Sequence, residues 1–153
     1  MAIVTMAMSG CAEGASEKSV TTDAGRVAEG FDAGSCPKGF DLLGWARSTY
    51  DFDTWQQSPG ECQLFTLDKS GTNGMSFDIY LMKDQTLSAL NRELANGPES
   101  GTIETYRDTK FILREGSSAI LGSDGSGYLL AGGKSREGAL VLSRAFIDRL
   151  QGG

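Results

Sequence analysis

The chain has 153 residues with 20 acidic and 14 basic side chains, a net charge of −6, and no histidine. Its length suits one modest domain plus a tail. The acidic balance excludes nucleic acid as a partner, which needs clustered Lys and Arg, and disfavours charge-driven binding to anionic lipid.

In chain order, the first readable unit is Met8-Ser9-Gly10-Cys11, small residues and a cysteine closing a short apolar opening. A bacterial lipoprotein signal ends this way, because the cysteine thiol takes the diacylglycerol and the peptidase must fit the residues before it. Residues 1–10 then form a truncated lipoprotein signal remnant. Met1 to Met8 contain no Lys or Arg, whereas a secretory signal opens with a basic segment, so this reading expects one upstream of Met1. The plainer reading is a frayed N-terminus with an ordinary cysteine. No stretch approaches the ~18 apolar residues of a membrane-spanning helix, so membrane attachment is expected through lipid on Cys11.

Residues 11–35 read as a lipidated flexible tether, and 36–153 as the globular domain. The tether is rich in Ala, Gly, Ser, Thr and acids, lacks periodicity, and cannot bury enough surface to offset its chain entropy. Its reach is about 25–30 Å by flexible-chain scaling.

The three cysteines are Cys11, Cys36 and Cys62. If Cys11 is lipidated, Cys36 and Cys62 are left to pair in an oxidising compartment; the alternative is two buried free thiols. None of their spacings suits zinc, and without histidine no metal or cofactor is expected.

Between Cys36 and Cys62 lie Phe40, Trp45, Tyr50, Phe52 and Trp55, in a segment read as irregular. One reading makes Trp45, Tyr50 and Trp55 a partner-binding surface; the other makes the aromatics a plug at one end of the core. Asp51, Asp53 and Glu61 nearby are the only set suggesting carboxylate catalysis or a cation site, against the plainer reading of solvated loop acids.

Gln63 to Leu67 and Met75 to Met82 read as strands joined by turn residues Asp68 to Gly74. In the second, Met75, Phe77, Ile79 and Leu81 alternate with Ser76, Asp78 and Tyr80. A helix is predicted over 85–96, with Asp84 as N-cap, Leu87, Leu90 and Leu94 on one face, and Gly97-Pro98 as its stop. Strands follow at 102–107, 110–114, 118–121 and 128–131, the last two around Gly122-Ser-Asp-Gly-Ser-Gly127. A second helix over 136–150 is capped by Ser135. The pattern predicts an α+β fold, a single antiparallel twisted sheet packed by two helices with a disordered N-terminal tether.

The lipobox, the tether, a cysteine at the domain start, Cys62-Gln63-Leu64-Phe65 opening a strand, and this order of elements resemble the small cell-envelope lipoproteins of actinobacterial type, some of which have folds similar to Mog1 and PsbP. Only the lipobox is motif-like, and the further cysteine pair common in that group is missing. The resemblance implies a non-catalytic binding or accessory lipoprotein, extracytoplasmic and anchored to the outer face of the cell membrane, contacting an integral membrane protein complex. The alternatives are a binder of a small apolar or lipid-like ligand and a carboxylate-based hydrolase of envelope carbohydrate. No G-x-S-x-G or P-loop pattern is present.

Overall fold

A computed structural model describes residues 31–52, 54–66 and 74–152. Cys11, Asp53 and the predicted turn at 68–73 lie outside the described residues. Within them the chain forms an α+β fold, a seven-stranded antiparallel sheet with three α-helices.

The fold begins earlier than predicted. Phe31 packs against the main core, and Asp32 caps a 3-10 turn at Ala33–Ser35, accepting from Gly34 N at 2.8 Å. The last five residues assigned to the tether thus pack with the domain, through Phe31 and through Asp32 N, which donates to Gln57 Oε1 at 3.4 Å. The segment read as irregular holds α1 (Leu42–Thr49), whose N-cap Asp41 accepts from Gly44 N and which buries Leu42, Leu43 and Ala46.

The strands are β1 (Gln56–Gln57), β2 (Gln63–Thr66), β3 (Met75–Leu81), β4 (Thr102–Tyr106), β5 (Thr109–Arg114), β6 (Ser117–Leu121) and β7 (Gly127–Gly132), in the sheet order β1-β2-β3-β7-β6-β5-β4. Two meanders, β1 to β3 and β4 to β7, meet where β7 pairs with β3 in the register Phe77 to Gly132 and Leu81 to Tyr128.

The second helix, α2 (Asp84–Asn96), joins the meanders. Its N-cap is Lys83, without a side-chain bond, and the predicted cap Asp84 instead lies in the first turn, where its charge suits the helix dipole. Gly97 ends it at φ +102°. The third helix, α3 (Arg136–Leu150), starts at Ser135, whose hydroxyl accepts from Gly138 N at 3.0 Å.

The predicted periodicities decide the layers. Phe77, Ile79, Phe111, Leu113, Ile120, Tyr128 and Leu130 point to one face and pack with α1 and α3 around Leu142 and Phe146. Ile112 and Ala119 point to the other and meet Leu90 of α2. Strand β5 is therefore buried on both faces and reads as the unbroken run Phe111-Ile112-Leu113. Residues Gly132 and Gly138 let α3 sit backbone-to-backbone on β7, since a Cβ on Gly132 would lie 2.5 Å from Ala139 Cα.

Candidate functional site

The aromatic segment forms a packed cluster around Phe77. Its ring centroid lies 5.2 Å from Trp45, 5.2 Å from Tyr50 and 5.9 Å from Trp55, which in turn packs on Phe52 at 5.7 Å. Trp55 is 1% exposed. It therefore cannot serve as a partner-binding surface, and the plug reading describes it. Trp45 and Tyr50 are half-buried at the rim of the cluster. Burial, and then the charge of Glu137, hold the Tyr50 phenol above its ordinary range. Helix α1 makes this arrangement, because it turns Trp45 inward while Leu42, Leu43 and Ala46 anchor it.

Cys36 and Cys62 form a disulfide with Cα atoms 4.6 Å apart, pinning the start of the domain to the start of β2. Both residues are buried. Asp51 and Glu61, two of the three carboxylates considered for catalysis, are exposed. Among the described residues no group of three or more acids, cysteines or histidines is placed to hold a metal ion, and no helix is long and apolar enough to cross a membrane.

Exposed apolar surface collects elsewhere. Helix α2 covers β5, β6 and the start of β7 but leaves the β3 side of its sheet face open. Tyr80 and Leu129 are paired directly across β3 and β7 there, at 43% and 38% exposure, while Leu81, at 59%, points by alternation to the opposite face, at the end of β3. Phe65 and Asp78, both partly exposed, stand on the same open face by strand alternation. Two of the four large apolar side chains exposed among the described residues are thus paired neighbours on this face, with Leu81 beside them on the reverse side of the strand end.

Acidic groups border this patch. Burial raises the Asp78 carboxyl above the usual carboxylate range; a hydrogen bond from Gln63 on β2 offsets part of the rise, and the nearby charge of Glu61 adds to it. Asp78 Oδ1 is buried without a hydrogen-bond partner. The Tyr80 phenol is likewise raised, by burial first and then by Asp78 and Glu61. Beside the disulfide, a groove of about 370 Å³ opens between Pro37, Gly60, Glu61, Ile79 and Leu81.

Set against protein-family models, curated proteins and solved structures, the chain matches none. The site must therefore be read from its own geometry.

A second groove, of about 500 Å³, contains Arg114 and Arg136. Both guanidiniums are committed, Arg114 to Glu93 at 2.8 Å and Arg136 to Glu104 at 3.1 Å. The helix–sheet seams are filled. Leu87 and Met82 close over Gly127, where a Cβ would lie 2.8 Å and 2.9 Å from them, and Ala139 closes over Gly132. This packing does not favour a small apolar ligand held between helix and sheet at those places.

The signal for the open face was present in β3. Tyr80 sits on the polar side of an otherwise regular alternation with Ser76 and Asp78, an aromatic where a solvated residue is expected. Leu129 carried no such signal, since Tyr128-Leu129-Leu130-Ala131 reads as a strand buried on both faces.

Proposed function

We propose that the chain is a lipid-anchored, extracytoplasmic accessory lipoprotein of the small actinobacterial cell-envelope type. Diacylglycerol on Cys11 holds it at the outer face of the membrane, and the open sheet face around Tyr80 and Leu129, together with the adjoining Leu81 end of β3, docks on an integral membrane protein complex. The observation that carries this reading is that the paired Tyr80 and Leu129, with Leu81 next to them, stand in solvent at one end of the sheet, whereas Ile103, the other large apolar side chain exposed among the described residues, stands apart on β4. An exposed, contiguous apolar patch rimmed by polar groups is a common mark of a protein interface. The Cys36–Cys62 bridge supports an oxidising compartment. The role assigned to the sequence's aromatic candidates passes from Trp55 to Tyr80 and Leu129, with Trp45 and Tyr50 as supports of the core rim.

A photo-cross-linking residue at position 129 tests the docking in the native host. One discrete integral membrane protein should be captured, and the capture should disappear in a Tyr80→Ser/Leu81→Ser variant that retains its melting temperature. The intact mass from the membrane fraction should begin at Cys11 with diacylglycerol added. An unprocessed mass beginning at Met1, or capture indifferent to the Tyr80 and Leu81 changes, would sink the proposal.

A further inference from the structure

Strand β3 outruns β2. Their register pairs Gln63 with Asp78, and one step further Ile79 N donates to Cys62 O at 3.0 Å. There β2 ends. Gly60, at φ +72°, and the turn bond from Glu61 N to Ser58 O carry the chain away from the sheet, so among the described residues no strand continues beside Tyr80 and Leu81.

The orientation of the exposed backbone follows from alternation. Ile79 N points to the β2 side, and Met82 N points to the β7 side, where it donates to Gly127 O at 2.8 Å. Successive residues of a strand alternate between its two neighbours. Leu81 N–H and C=O therefore point to the β2 side, where the described residues offer no strand to meet them. The groove between Gly60, Glu61, Pro37 and Leu81 lies along this stretch of strand edge. An unpaired strand edge is a template for a further strand.

We propose that the Leu81 end of β3 is a strand-addition site for an extended segment of the partner protein, alternating basic and apolar residues. The proposal rests on the docking reading above and names what the partner brings to it. Charge and periodicity set the sequence class. A segment laid against β3 sends alternate side chains to the two sheet faces. Those on one face meet Asp78, Tyr80 and Glu61, two carboxylates and a phenol, with Asp78 Oδ1 already desolvated and unpaired. Lys or Arg fits there. Those on the other face meet Leu81 and Ile79 at the groove, where an aliphatic side chain fits. Main-chain bonds would supply affinity and the alternate side chains specificity, as in other strand-addition complexes.

Panning a random heptapeptide display library on the purified, disulfide-intact protein tests the inference. Enriched peptides should alternate Lys or Arg with Val, Ile or Leu. The synthetic winner should slow hydrogen exchange at the Leu81 amide and lose about tenfold or more in affinity when Glu61→Lys reverses the charge. Methylating every second amide of that peptide should abolish binding. No enrichment, acidic or non-alternating winners, or binding indifferent to amide methylation would each overturn the proposal.

The two readings separate in the native cross-linking experiment. Leu81→Pro removes the edge N–H, at a place where proline is tolerated because that N–H pairs with no strand. Strand addition predicts loss of capture at position 129 in this variant. Capture that survives Leu81→Pro but is lost with Tyr80→Ser/Leu81→Ser would overturn strand addition and leave docking through the open face standing. Capture that survives both sets of changes overturns both.

Discussion

Asp78 is an acid whose folded environment opposes its charge. Its carboxyl is raised, so between the ordinary Asp range and the raised value the folded state holds more proton than the unfolded chain. Stability therefore falls as pH rises through that interval, and the penalty is fully present above it. Asp78→Asn should melt above the parent protein at pH 7, with the difference shrinking toward about pH 3, below the ordinary Asp range. Thermal melts across pH check this, and a difference that grows on acidification would contradict it. Trp55 gives the opposite kind of expectation. Nearly fully buried among Phe52 and Phe77, it should cost about 3–5 kcal/mol when cut to alanine, read by denaturant unfolding. Trp55→Phe should cost less, since the indole Nε1 is buried without a hydrogen-bond partner and has no bond to lose.

At the scale of elements, α2 and α3 were legible because each combines a leucine or aromatic stripe with end signals: Gly97-Pro98 for one, Ser135 for the other. Strands β3, β5, β6 and β7 were legible from alternation or unbroken apolar runs between turn residues. Helix α1 was not, since eight residues containing Gly44 and Thr49 give a weak period; the Asp41 cap beside Leu42 and Leu43 was the available clue. Strand β1 is two glutamines and carries no pattern at all. The seating of α3 was equally invisible, because it depends on a strand glycine meeting a helix backbone. Gly132→Ala places a methyl 2.5 Å from Ala139 Cα, backbone that cannot swing aside, so α3 must lift from β7. A loss of about 3 kcal/mol or more is expected in urea unfolding, at the upper end of ordinary overpacking.

For the whole molecule, the disulfide ties residues 26 apart in sequence and fastens the α1 segment to the sheet. The chain-entropy account assigns such a loop about 3.5 kcal/mol. Unfolding with and without reductant, or in a Cys36→Ser/Cys62→Ser pair, should show a loss of that order, with α3 and the β4 to β7 meander retained below the lowered midpoint. The sheet order was not legible, because nothing in the residues of β7 says that its partner is β3 rather than a sheet edge. The site was half legible for the same reason: an exposed face exists only once the sheet order decides which strands α2 fails to cover. That order also governs when the molecule can assemble. Among the described strands β7 is the last to be synthesised, yet it stands fourth of seven and is the ladder that joins the halves. Each half made earlier ends in a bare strand, β3 or β6, and α3, which packs on β5, β6 and β7, follows later still. Joining of the two halves therefore waits for β7 to leave the ribosome, and a nascent chain stopped before Gly127 should remain open to protease.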